Sequence, residues 1–428
     1  MTAPAPFPPA APPSPRLAPI AAADEFAPAL AARLAHIEPF HVMEIGKLAA
    51  SLREQGRDLI FMSIGEPDFT AAPAVCAAAQ QALLDGSMQY TAATGLPALR
   101  QAISQHYQDV YGLQIDPARI VVTAGASAAL LLACAALVQA GDEVLMPDPS
   151  YPCNRHFIAT FEGRAKLIPS GPQERFQLTA AMVRDNWGDE SKGVLVASPS
   201  NPTGTSIAPD VLREIVQEVR QRRGFVIVDE IYNGLSYNNS ENTDQVDHLP
   251  FSALALGDDV LVINSFSKYF SMTGWRLGWL VLPPSLIKPV EKLAQNLFIC
   301  PSTLAQHAAL ACFLPESLAL FEQRKAEFQR RRDYLVPALR ELGFGVPVMP
   351  DGAFYVYADC SALFYPGVQD AYQLVLAILH EAGVVLVPGL DFGTHGAGQH
   401  IRISYATAFE QLQQAVARLG SFFAAHRP

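Results

Sequence analysis

Short apolar runs punctuate the middle of the chain: Ile120-Val121-Val122-Thr123, Val144-Leu145-Met146, Val194-Leu195-Val196-Ala197, Phe225-Val226-Ile227-Val228 and Val260-Leu261-Val262-Ile263. Runs of this length, rich in β-branched residues and bounded by turn residues, read as buried strands. Helical patterns separate them, among them an apolar helix predicted over Ala128 to Val138, so an α/β fold is expected. Ahead of this region, a helix is predicted over Lys47 to Gln55, closing at Gly56, and a strand over Leu59 to Ile64. Past Arg276 the alternation gives way to helix. Pro315 to Leu342 carries Leu318, Phe321, Phe328, Leu335 and Leu339 in a charged background, the pattern of a long amphipathic helix linking two domains. Phe354 to Tyr357 and Val384 to Val387 then read as strands of a smaller domain.

Composition narrows the function classes. The chain has 428 residues, enough for one large domain and a smaller one. Its formal net charge of -11 argues against a general nucleic-acid binder, which needs a basic face. No apolar run reaches the roughly 18 residues of a membrane span. The six cysteines are scattered without paired or His-partnered spacing, so buried free thiols in a reducing cytoplasm are expected, and no metal site. The first 30 residues are rich in Ala and Pro and lack the basic start and apolar core of a signal peptide, so a disordered tail is expected.

Candidate chemistry gathers at the predicted strand ends, where open α/β sheets place their ligands. Lys268 follows the Val260 to Ile263 run, among hydroxyl and aromatic neighbours that would desolvate it, lower its pKa and free its amine for a Schiff base. Arg276 would supply a fork of donors to a phosphate. Asp229 closes the Phe225 to Val228 run, and a carboxylate buried there is costly unless it meets a cation. Gly125-Ala126-Ser127 forms a turn of small residues opening a helix, which offers backbone N–H groups and the positive end of the helix dipole to an anion.

Ser265-Phe266-Ser267-Lys268 followed by Gly274-Trp275-Arg276-Leu277-Gly278-Trp279 resembles the cofactor-lysine segment of class I aminotransferases. These are fold-type-I enzymes that use pyridoxal 5'-phosphate (PLP). Further segments similar to that family follow in order from about Phe40 onward. The resemblance implies a three-layer PLP-transferase major domain with a mainly parallel sheet, plus a smaller α+β domain built from both chain ends. The corresponding boundaries are a tail over 1–30, the small domain over 31–72 and 315–428, and the PLP-binding domain over 73–314.

The resemblance also implies roles. Lys268 would be the Schiff-base lysine and proton shuttle, Asp229 the partner of the pyridine nitrogen, and Tyr232 and Asn201 partners of the phenolic oxygen. Tyr151 would stack on the ring. Gly125, Ala126, Ser127, Ser265, Ser267 and Arg276 would surround the phosphate. Tyr90, in Tyr90-Thr91-Ala92-Ala93-Thr94-Gly95, would reach the phosphate of a neighbouring subunit, which implies a homodimer. Gly65, Asn201 and Arg402 would meet the substrate's α-carboxylate. The implied activity is ping-pong transfer of the α-amino group of an L-amino acid to a 2-oxo acid. A β-lyase or related enzyme of the same fold, and a non-catalytic PLP-binding regulator, are the alternatives. The largely apolar Phe40-His41-Val42-Met43 and the lack of a basic residue over Asn296 to Ser302 favour neutral or aromatic substrates over aspartate.

Overall fold

The computed structural model describes residues 29–37, 40–237 and 250–426. The expected N-terminal tail lies almost wholly outside the described residues.

Among the described residues the chain forms twelve strands. In chain order these are β1 (Ile60–Phe61), β2 (Ile120–Thr123), β3 (Glu143–Asp148), β4 (Arg164–Pro169), β5 (Ser191–Ala197) and β6 (Phe225–Asp229). They continue with β7 (Leu261–Ser265), β8 (Gly278–Val281), β9 (Tyr355–Asp359), β10 (Val384–Val385), β11 (Val387–Pro388) and β12 (His400–Ser404). Seven of them make one sheet in the order β2-β8-β7-β6-β5-β3-β4. All neighbouring pairs in it are parallel except those of β8, which runs antiparallel to β2 and β7.

The unbroken apolar runs are explained by burial on both faces of this sheet. Val194, Val196, Val226, Val228, Val262 and Trp279 point into one core. Their neighbours Leu195, Ile227, Leu261, Ile263 and Leu280 point into a second. The helices Gly125–Leu137 and Ile287–Leu297 bury Leu130, Ala133, Val290 and Ala294 in the second core. Pro97–Tyr111 and Pro209–Gln221 bury Leu99, Ile103, Ile215 and Val219 in the first. The result is helix, sheet, helix, with β5, β6 and β7 in the middle.

The remaining strands draw on both ends of the chain. β1 pairs in parallel with β10, Ile60 opposite Val384, and β11, β12 and β9 form an antiparallel sheet. Helices His41–Glu54, Ala371–Ala382 and Phe409–His426 accompany them, and Pro315–Leu342 runs unbroken between the two regions.

Several boundaries differ from expectation, each for a tertiary reason. The first long helix starts at His41, ahead of Lys47, because the distant Asp391 carboxylate accepts the His41 and Val42 N–H groups at 2.7 and 2.9 Å. A helix start without its own capping side chain is thereby satisfied across the fold. The expected strand over Leu59 to Ile64 shrinks to Ile60–Phe61, since its partner β10 offers only two residues. The apolar helix includes the turn, starting at Gly125 and stopping before Val138, which is extended. Val384 to Val387 splits at Leu386 into β10 and β11, which join different sheets. All six cysteines are free, but only Cys134, Cys312 and Cys360 are buried; Cys76 is exposed and Cys153 and Cys300 are half-buried.

Trp279 shows how tightly the first core is packed. It is 1 % exposed, meets the Phe266 ring at 4.9 Å, and donates its indole N–H to Tyr107 Oη at 3.2 Å. Trp279→Ala should therefore destabilise the protein by about 3–5 kcal/mol, measured by denaturant unfolding with Tyr107→Phe as the milder control.

Candidate active site

The carboxyl ends of β5, β6 and β7 deliver three of the expected residues to one place. Asn201 lies in the turn after β5, Asp229 ends β6, and Lys268 follows β7. Arg402 enters from β12 of the smaller sheet, so the site forms between the two regions.

Lys268 donates from Nζ to Gly65 O at 2.5 Å, and its ammonium lies over the Tyr232 and Phe354 rings at 5.5 and 5.8 Å. Burial brings its pKa down to about 8. Glu66 and Asp229 oppose that shift, while Arg402 and Arg276 add to it. Asp229 is pushed the other way: burial raises its carboxyl to about 6, against the Ile231 N–H at 3.1 Å and the Lys268 charge. Its neighbour Glu230, also buried, is raised to about 7 and is held by the Ala253 N–H, Ser252 and Asn233, away from the lysine's bonding partners.

Arg402 is 5 % exposed and is held on all sides but one. Nη1 donates to Asn201 Oδ1 at 3.1 Å and Nη2 to Ser63 O at 2.7 Å. The Tyr355 and Phe392 rings lie 4.7 and 4.9 Å from the guanidinium. Its Nε has no hydrogen-bond partner among the described residues. A buried guanidinium with an unused donor is costly to leave so, and suits an arriving carboxylate.

The Gly125-Ala126-Ser127 turn opens the helix Gly125–Leu137, whose N-terminus has no side-chain cap. Gly125 has φ +81°, and a Cβ there would lie 2.8 Å from Arg276 Nη2. The arginine thus lies directly against the turn, whose positive φ at Gly125 favours glycine. Arg276 itself adopts φ 53°, and its Nη1 donates to Thr273 O at 3.1 Å. Ser265 and Ser267 are buried and joined, Ser265 Oγ donating to Ser267 Oγ at 3.0 Å. Gly125 and Ala126 are buried, while Ser127 is exposed. This open turn, beside a guanidinium and hydroxyls, fits a phosphate. The donor set therefore fits PLP.

Tyr232 Oη and Tyr355 Oη lie 2.8 Å apart, and burial raises the Tyr232 hydroxyl well above the usual phenol range. Tyr151 precedes the helix Pro152–Thr160, half-buried, its hydroxyl also pushed upward by burial. Tyr90 stands apart from this cluster and is 81 % exposed.

Sequence reasoning missed Tyr355, Ser63, Phe392, Glu66 and Gly278 as site residues. Tyr355 belongs to a run legible only as a strand. Its pairing with Ser404, two residues from Arg402, sets it on the arginine's face of the sheet. Gly278 lies within the Gly-Trp-Arg-Leu-Gly-Trp segment, which could have flagged it. A Cβ there would meet Ala126 N, Asn264 O and Gly125 C at 2.8 Å, so its absence lets β8 abut the turn.

In protein without PLP, amine-selective labelling of Lys268 should rise with pH about a midpoint near 8. Glu66→Gln and Asp229→Asn should each lower that midpoint, since removing a nearby negative charge disfavours the ammonium, with Glu66→Gln the larger effect. Mass-spectrometric quantification of the labelled peptide checks both.

Comparison with known proteins agrees with this geometry. The family model for aminotransferase class I and II matches residues 57–419. The chain is 39 % identical to the valine–pyruvate aminotransferase of Mycobacterium tuberculosis, over 91 % of this chain and 97 % of that protein. Among solved structures, an aminotransferase from Mycobacterium tuberculosis superposes with a TM-score of 0.87 at 38 % identity, covering 93 % of this chain and all of that one. The aspartate aminotransferase of Thermus thermophilus with maleate gives 0.84 at 31 % identity, covering 92 % of this chain and all of that one. The expected three-layer PLP-transferase fold, with its smaller α+β domain from both chain ends, is therefore the fold of this protein. This chain belongs to the aminotransferase class I and II family and is a PLP-dependent transaminase, acting on amino acids and 2-oxo acids.

Proposed function

We propose that the enzyme moves the α-amino group of a neutral, apolar L-amino acid to a 2-oxo acid. The observation that carries the site assignment is the convergence of Lys268, Asp229 and Arg402, with the Arg402 Nε left without a partner. Bound PLP supplies an electron-withdrawing ring that stabilises negative charge at the substrate Cα. Arg402, with Asn201 and the backbone at Gly65, grips the α-carboxylate and orients the Cα–H. The amine of Lys268, partly unprotonated because its pKa is near 8, is both nucleophile and proton carrier. Asp229 would hold a positive charge at the ring nitrogen of bound PLP, and Tyr232 and Asn201 would donate to its phenolic oxygen. Tyr151 would cover a ring face, while Gly125, Ala126, Ser127, Ser265, Ser267 and Arg276 would hold the phosphate.

The substrate class is supported by what lines the approach to Arg402. Phe392 and Tyr355 flank the guanidinium, and Val42 packs against the Phe392 cluster. Similarity to a valine–pyruvate aminotransferase points the same way. We further propose a homodimer, in which the exposed Tyr90 reaches the phosphate of a second copy. The proposed domain boundaries are 31–72 and 315–428 for the small domain and 73–314 for the large one. Among the described residues no single helix is long and apolar enough to cross a membrane, and six free thiols support a cytoplasmic setting.

Adding single amino acids to PLP-loaded enzyme, without oxo acid, should shift its absorbance from about 420 nm to about 330 nm. Valine and other apolar donors should do so at least about tenfold faster than aspartate. Aspartate winning would overturn the substrate class, and bleaching by Lys268→Ala at the wild-type rate would overturn the role of the lysine. Sedimentation should give a dimer, and Tyr90→Phe should weaken PLP binding by about tenfold, read by cofactor titration.

A further inference from the structure

A buried carboxylate at the end of β3 ties the two regions together without entering the site. Asp148 is 1 % exposed. It accepts from Thr394 N at 3.2 and 3.0 Å, Thr394 Oγ1 at 2.9 Å and His395 N at 3.1 Å. The segment wraps so closely that a Cβ on Gly393 would lie 1.6 Å from Asp148 Oδ1, so only glycine permits it. From the same β3 loop, Ser150 N–H donates back to Phe392 O at 2.8 Å. Donors and acceptors on both strands of this contact leave the backbone of 392–395 little freedom.

Phe392 is the consequence. It is 2 % exposed, lies next to the wrapped glycine, and presents its ring to the Arg402 guanidinium at 4.9 Å, with the Tyr355 ring 4.7 Å from the same group. The hydrogen bonds to Asn201 and Ser63 hold two nitrogens of Arg402, and the rings beside the guanidinium resist its tilting. Asp391, the residue before Phe392, caps the helix His41–Glu54 and so anchors the same segment from the other side.

We propose that Asp148 is a positioning residue for substrate binding, acting through Phe392 to hold the guanidinium plane of Arg402 in register with an incoming carboxylate. The inference rests on the reading of Arg402 as the carboxylate clamp. A two-bond clamp is sensitive to the plane of the fork, so loosening it weakens binding of both amino acid and oxo acid. The lysine and the phosphate cradle lie on other elements and keep their geometry.

The test compares Asp148→Asn, Phe392→Leu, Arg402→Gln and the double variant Asp148→Asn/Arg402→Gln in the PLP-loaded full chain. Asp148→Asn should raise KM for donor and acceptor about tenfold with kcat within about threefold of wild type. Bound PLP and its visible spectrum should be unchanged. Phe392→Leu should act in the same direction, which keeps the inference testable if Asp148→Asn does not fold. In the Arg402→Gln background, Asp148→Asn should add no further increase. A merely structural role would lower the active fraction without moving KM, and that result overturns the inference. So does an additive increase in the double variant. If Arg402→Gln itself leaves KM unchanged, the clamp reading fails instead, and the inference falls with it for a separately visible reason.

Discussion

The cost of taking charge out of water organises this active site. Lys268, Asp229 and Arg402 come from three elements and sit where solvent is largely excluded, so each charge must find its stabilisation in the others or in a bound molecule. The consequences run in opposite directions, as that cost requires. The lysine is pushed down to about 8 and the aspartate up to about 6, each toward its neutral form. The protein thus holds its reactive groups in an unsettled state that a cationic ring nitrogen and a carboxylate would relieve. The same logic explains why Arg402 keeps a buried donor unused.

The scaffold that bears this cost is the parallel middle of the large sheet. β5, β6 and β7 are buried on both faces and lie side by side, so their carboxyl ends present successive turns at one edge of a rigid layer. Backbone approach matters there as much as side-chain identity. Gly125 supplies a positive φ beside Arg276, and Gly278 admits the turn itself, with no room for a Cβ at Gly278. A phosphate cradle made of main-chain groups depends on such omissions, because any side chain would occupy the place the anion needs.

Arg402 belongs to a different sheet from the lysine, and a buried carboxylate bonded to backbone N–H groups, Asp148, helps tie the two regions together, while a second, Asp391, secures the same loop within the smaller one. Asp148 grips Thr394 and His395, and Asp391 caps the helix at His41. Contacts of this kind are stronger than neutral hydrogen bonds and directional, which suits a joint that must keep a guanidinium in one plane.

Much of the candidate site was legible from the chain alone. Asn201 was legible only through the family resemblance. Lys268 and Asp229 each stand just after an apolar run, and a strand buried on both faces announces itself by composition, so its end is a readable address. The Gly125 turn and Arg276 were readable for the same reason, since their chemistry is carried by the residues themselves. Partners separated widely in sequence were not. Nothing near Tyr355 or Phe392 marks them as the rings beside Arg402, because that contact arises from the β9–β12 register and from a loop pinned by Asp148. The start of the first helix at His41 was hidden likewise, its cap lying some 350 residues away in Asp391. Local sequence determined the strands, the turns and the reactive groups, because those follow from side-chain chemistry and short-range backbone preference. Only the tertiary structure decided which groups face one another, because packing and pairing between distant segments set those distances.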